Sequence, residues 1–216
     1  MTLSTSTKAR LRSELRARRR SLGAAQQRAA SEAAALHIQQ LPDWAGLQHI
    51  ALYLAADGEL DPSAIARLCR NSGKQLYLPR LADHKSLQFA RWDAGSALVN
   101  NRYRIPEPDE GSEIRAAVEL DLVLLPLVGW DRDGNRLGMG GGYYDRALAA
   151  GRPRWIAGLA HSAQEVARLP AEPWDIKLDL VVTEQALVRC KRTSDSCQAS
   201  PTGEGGTSVL DDDAGL

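Results

Sequence analysis

The stretch from Asp121 to Val128, DLVLLPLV, constrains the fold more than any other part of the chain. Nearly every residue in it is apolar. A strand that alternated polar and apolar residues would have one wet face, whereas a run of this kind suits a strand covered on both faces. Two later runs, RWIAGLA (154–160) and LDLVVTE (178–184), have the same character. Two earlier ones, HIALYL (49–54) and QLYLP (75–79), are short apolar runs of strand type, and LQFARW (87–92) alternates as a half-buried strand does. Helical patterns precede and separate them. Residues 8–20 place Leu11, Leu15 and Leu22 at spacings of four and seven. Ser21–Gly23 breaks that helix, and an alanine-rich one follows to about Gln40–Pro42. Asp61-Pro62 forms a cap and first turn for SAIARLCRNSG, which Gly73 closes. Strands alternating with helices predict an α/β fold, a three-layer sandwich with a largely parallel central sheet.

The 216 residues suit one domain, expected over 1–192. From Thr193 to Leu216 the chain turns to Ser, Gly, Thr and Asp, too polar to offset its ordering entropy, so a disordered tail is expected. The net charge of zero argues against a polyanion binder, yet it conceals a basic head and an acidic tail. Seven bases lie between Lys8 and Arg20 against the single acid Glu14. That helix is open to three readings: a solvated face, a nucleic-acid arm, or part of an anion site. The three cysteines form no C-x-x-C pair, and their odd number argues against a disulfide framework. No apolar run approaches the ~20 residues that span a bilayer, and no secretory h-region follows the basic N-terminus. A cytoplasmic protein is expected.

The chemistry concentrates after the most apolar strand, in NRLGMGGGYYDR, Asn135 to Arg146. Gly138, Gly140, Gly141 and Gly142 let backbone N–H groups approach a ligand closely. YYDRALAA suits the first turns of a helix, and a glycine-rich turn between a strand and a helix start is an anion site. Arg136 adds a guanidinium that can fork onto phosphate from a solvent-facing loop. Asp145 offers hard oxygen ligands suited to Mg²⁺. The spacing matches neither G-x-x-x-x-G-K-[ST] nor G-x-G-x-x-G, and a ligand-free glycine connection is the plain alternative.

Several segments together resemble the 5-formyltetrahydrofolate cyclo-ligase (methenyltetrahydrofolate synthetase) family. They are Lys8-Ala9-Arg10-Leu11-Arg12, the acidic turn Asp57-Gly58-Glu59-Leu60-Asp61, Ile105-Pro106-Glu107-Pro108, and Pro126 through Arg146. A later part, Leu169-Pro170 through Asp175 and on to Leu178-Asp179, is similar as well. The resemblance implies a fold of the NagB/RpiA/CoA transferase-like kind. It also implies conversion of 5-formyltetrahydrofolate to 5,10-methenyltetrahydrofolate with ATP and Mg²⁺. Carried over by position, Lys8, Ala9, Arg10, Leu11 and Arg12 would bind ATP together with Arg136, Leu137, Gly138, Met139, Gly140, Gly141, Gly142, Tyr143 and Tyr144. Arg136 and Lys8 would serve catalysis. Asp145 and Asp175 would hold Mg²⁺. Arg12, Leu54, Glu59, Met139, Gly140, Gly141, Gly142 and Tyr143 would face the folate. Small-molecule substrates, no nucleic acid, no membrane and a monomer are the expected partners and state. Three positions depart from the family pattern: Trp130 replaces a usual Phe, Leu127 replaces a glycine, and Gly141 stands where some members have Lys. The remaining alternatives are another pterin- or phosphate-directed enzyme on the same scaffold and an RNA-binding protein using the basic helix.

Overall fold

The strand-like runs become a single eight-stranded sheet in the computed structural model, which describes residues 2–82 and 85–191. The expected tail lies outside the described residues. In chain order the strands are β1 (His49–Ala51), β2 (Gln75–Ala82), β3 (Ser86–Arg91), β4 (Leu98–Asn100), β5 (Pro106–Pro108) and β6 (Ile114–Arg115). Then come β7 (Leu122–Pro126), β8 (Gly129–Trp130), β9 (Arg136–Leu137), β10 (Trp155–Leu159), β11 (Leu180–Val182) and β12 (Leu187–Arg189). The helices are α1 (Thr2–Arg20), α2 (Ala24–His37), α3 (Ser63–Asn71) and α4 (Tyr143–Ala149). Asp61 accepts the Ser63 N–H at 2.9 Å at the start of α3, and Gly73 follows it with φ +70°.

The sheet order is β12-β11-β10-β7-β1-β2-β3-β6. Its middle, from β11 to β2, is parallel. Both margins are antiparallel, through β11–β12 on one side and β2–β3–β6 on the other. The run that constrains the fold most is β7, which sits between β1 and β10. Its residues alternate between two cores. Leu122 and Leu124 join Ile50, Leu76 and the apolar sides of α2 and α3. Val123 and Leu125 join Ala51, Tyr77 and Leu148 of α4 on the opposite face. This is the three-layer arrangement expected from the sequence.

Two features depart from the linear reading. The ladder of HIALYL ends at Ala51, and the chain beyond it leaves the sheet with one further bond, Leu52 N–H to the Tyr77 carbonyl. The glycine-rich stretch also does not follow β7 directly, because the β8–β9 hairpin intervenes. Buried Asp131 builds that hairpin's turn by accepting the N–H groups of Asp133 and Asn135 and the Asn135 side-chain amide. Leu127, which departs from the glycine of the resembled pattern, packs against a glycine elsewhere. A Cβ on Gly158 of β10 would lie 2.4 Å from the Leu127 Cδ1.

From β1 the chain moves to β2 on one side, and it later enters β7 on the other. The space between the loops leaving β1 and β7 is therefore a topological switch point, where open α/β sheets bind ligands.

Candidate functional site

Helix α1 is the first component. Lys8, Leu11, Arg12, Leu15 and Arg19 recur at helical spacing and share the face turned toward the protein. Leu15 is fully buried against the β8–β9 hairpin, and a Cβ on Gly129 would lie only 2.5 Å from its Cδ1. This close approach brings the cations into register with the loop. Arg12 Nε donates to the Gly138 carbonyl at 2.8 Å, and its guanidinium lies against Gly140. Lys8 Nζ stands 3.6 Å from both Glu172 and Asp175. Leu11 packs on the cluster of Leu15, Val128, Leu137 and Leu169. Ala9 and Arg10 are exposed on the other side of the helix.

The glycine-rich loop is the second component. Gly140 (φ +99°) and Gly142 (φ +65°) hold backbone angles that side chains resist. Met139 is 57% exposed, while Leu137 is core. Helix α4 has only seven residues, so its dipole adds little, and the cations in contact with the loop are Arg12 at Gly138 and Arg146 at Gly141. The expectation that Arg136 faces solvent is corrected by the structure. Its side chain is 8% exposed, because the hairpin folds it beneath the loop. It pairs with Asp145 at 2.5 Å and donates to the Ile176 carbonyl. The two tyrosines diverge. The Tyr144 hydroxyl is buried near Glu59 and Arg136, and its pKa is pushed above the usual value by burial first and by Glu59 second, with Arg136 opposing. Tyr143 turns outward, and its hydroxyl meets that of Tyr103 at 2.7 Å with the rings edge to face.

The loop leaving β1 is the third component. Glu59 is 14% exposed; its Oε2 accepts the Ala56 N–H at 3.1 Å, and its Oε1 lies 3.7 Å from Arg19 Nη2. Burial raises its pKa and Asp57 adds to the rise, while the Ala56 N–H and Arg19 oppose both. Leu54 packs at the edge of the core beside it. A cleft of about 530 Å³ opens here, lined by Arg20, Leu22, Gln27, Ala55, Ala56 and Glu59 among others.

The two carboxylates named for a metal are brought near each other. Asp145 Oδ1 accepts the Ile176 N–H at 3.2 Å, one residue from Asp175. Asp175 Oδ2 accepts the Glu172 N–H at 2.9 Å. Each carboxylate thus keeps one oxygen outside these bonds. Among the described residues no three His, Cys, Asp or Glu side chains form a metal cage. A pair of carboxylates completed by water and phosphate oxygens is the mode Mg²⁺ favours, so the donor set fits that ion.

Sequence reasoning overlooked three residues. Arg19 is a base on the same face as Lys8 and Arg12, so extending the helical spacing one more turn identifies it. Buried Asp131 sits in the hairpin turn and also accepts the Leu169 N–H, tying the hairpin to the C-terminal part. Tyr103 carries no local signal, because its contact with Tyr143 spans forty residues of sequence.

A mixed sheet with a switch point, and a glycine loop held against the arginine of an N-terminal helix, place this chain in the open α/β class. The family is equally clear. The model of the 5-formyltetrahydrofolate cyclo-ligase family matches residues 4–184, and the chain belongs to that family. It is 38% identical over 178 residues to the 5-formyltetrahydrofolate cyclo-ligase of Escherichia coli K12, covering 78% of this chain and 96% of that one. It is 35% identical over 186 residues to the Haemophilus influenzae cyclo-ligase, covering 83% of this chain and 100% of that one. The solved structure of Aquifex aeolicus 5,10-methenyltetrahydrofolate synthetase superposes with a TM-score of 0.74 at 30% identity, covering 92% of this chain and 96% of that one.

Proposed function

We propose that this chain converts 5-formyltetrahydrofolate to 5,10-methenyltetrahydrofolate, using ATP and releasing ADP and phosphate. The observation that carries the reading is the meeting of three distant segments. Lys8 and Arg12 of α1 converge on the 172–176 segment and on the glycine loop, and Arg19 of the same helix reaches the two loops of the switch point. In this reading the γ-phosphoryl group passes from ATP to the formyl oxygen. The folate N10 then attacks the activated carbon, and the phosphate leaves as the ring closes. Such a transfer asks the protein for positioning and charge stabilisation rather than covalent help.

Arg12 and Lys8 supply positive charge on one side of the phosphates, and the backbone from Gly138 to Gly142 supplies N–H donors. Arg136 acts from beneath, holding Asp145 and the 176 carbonyl so that loop and metal ligands keep one geometry. Asp145 and Asp175 would hold Mg²⁺, which when bound neutralises charge on the phosphates. Glu59 and Tyr144 form the buried polar side of the folate pocket, where a carboxylate accepts hydrogen bonds from pterin N–H groups. Met139 and Tyr143 face the folate from the loop side.

Purified protein with Mg-ATP and 5-formyltetrahydrofolate is expected to generate the methenyl product, followed by its near-ultraviolet absorbance. An ATP-dependent signal supports the reading. No signal at protein concentrations that bind both substrates sinks it.

A further inference from the structure

We propose that Arg19, acting with Asp57, is a positioning residue for Glu59 and thereby sets how tightly the folate side of the site binds. The inference rests on the function proposed above and extends it to a residue that touches no substrate.

Arg19 is 0% exposed, and every direction of its guanidinium is engaged. Nε donates to the Asp57 carbonyl at 2.8 Å, Nη1 to the Leu127 carbonyl at 3.0 Å, and Nη2 to Asp57 Oδ2 at 2.7 Å. The same Nη2 lies 3.7 Å from Glu59 Oε1. One side chain therefore joins α1, the loop leaving β1 and the loop leaving β7, which are the two sides of the switch point. Asp57 is held in turn by Arg16 and Arg20. Its backbone is left-handed (φ +55°), followed by Gly58 (φ +75°), whose Cβ position lies 3.3 Å from the Arg19 carbonyl. This pinned turn decides where Glu59 emerges. With the Ala56 N–H on one oxygen and Arg19 beside the other, the carboxylate has one orientation from which to meet a ligand.

The charges facing Glu59 are opposed. Arg19 of α1 is positive, Asp57 of the same turn is negative, and the phenols of Tyr53 and Tyr144 approach from the β1 loop and from α4. Arg136 lies beyond Tyr144, and His161, after β10, lies near Arg19. Arg19→Lys keeps a charge but cannot make the four-way fork. Asp57→Asn removes a negative neighbour at a left-handed position that Asn tolerates.

The test is steady-state kinetics over a pH series with the full chain. Arg19→Lys is expected to raise KM for 5-formyltetrahydrofolate about tenfold while KM for ATP changes less than about twofold. On the acid limb of kcat/KM for the folate, Arg19→Lys moves the midpoint to higher pH and Asp57→Asn moves it to lower pH. In a Glu59→Gln background both shifts disappear. Equal rises in both KM values, or limb shifts that persist in Glu59→Gln, overturn the proposal. If Arg19→Lys shows no cooperative melt, the Asp57→Asn shift and its loss in Glu59→Gln decide it alone. A wild-type protein that forms no methenyl product overturns both readings; an active wild type whose variants lose both substrates alike overturns only this one.

Discussion

Arg136 shows how one residue changes meaning when its surroundings are known. In the sequence it is a loop cation before a run of glycines. In the structure it is a largely buried strut between Asp145 and the Ile176 carbonyl. Arg136→Ala is therefore expected to lower both properties that a solvent-facing residue would separate. The loss of two charge-assisted bonds costs about 1–3 kcal/mol of stability. Turnover falls by about 10² as the loop and its carboxylate lose their shared anchor. Urea melts and initial rates on the same preparation check this; an unchanged melt with reduced turnover would return Arg136 to a purely ligand-facing role. Trp130 is a second case. It replaces a family Phe with an indole of which the N–H is buried and has no hydrogen-bond partner among the described residues. Nothing in the structure explains what that nitrogen contributes.

At the scale of elements, α1 is the part whose role the linear pattern left most open. Its seven bases suited a solvated face or a nucleic-acid arm. Most of them are engaged within the protein: Lys8 with Glu172 and Asp175, Arg12 with Gly138, Arg18 with Glu14, and Arg16, Arg19 and Arg20 with Asp57. The helix is thus a wall of the candidate site, and Leu15 lies over Gly129 where it docks. Gly129→Ala is expected to push α1 away at that contact and to cost about 1–3 kcal/mol through overpacking. KM for ATP rises with it, because Arg12 and Lys8 move with the helix. Leu15→Ala in the same background makes room for the new methyl and recovers part of the ATP affinity, although it removes core contacts. Thermal melts and ATP titrations of the single and double variants measure both effects, and additive losses would show that the two positions do not share a contact.

For the whole molecule, the ligand end of the sheet carries buried ionisable groups, so stability and pH are linked there. His161 is 1% exposed, its Nε2 finds no hydrogen-bond partner among the described residues, and its Nδ1 is 4.0 Å from Glu184. Burial lowers its pKa and Arg19 adds to this, against the opposing pull of Glu184 and the Gly58 backbone. The folded state therefore binds the proton less readily than the unfolded chain does. The contribution is fully present above the unfolded value of about 6.5 and is lost as pH falls through it toward the depressed folded value. Urea midpoints are expected to decline from about pH 7 to 5, and His161→Asn to flatten that decline. A variant with the wild-type slope would place the titration elsewhere. Among the described residues no helix is long and apolar enough to cross a bilayer.

Local pattern was enough to reveal the apolar runs of the parallel centre, the Asp61 and Gly73 that bracket α3, the glycine loop and the segments that mark the family. Each depends on neighbours a few residues apart, and periodicity reports such neighbours directly. The antiparallel margins, the β8–β9 hairpin, the burial of Arg136, the Arg19–Asp57–Glu59 cluster and the Tyr103–Tyr143 contact were decided only in three dimensions. The side-chain contacts among these join residues 38 to 40 positions apart, and burial assigns the partner: a guanidinium removed from water must find carboxylates and carbonyls wherever packing puts them. Close contacts such as Leu127 on Gly158 follow the same rule, because the size of one residue is answered on a different strand. The glycine loop was legible as a candidate anion site from its own residues. That its second wall is an N-terminal helix, anchored by a buried arginine, followed from how the chain packs.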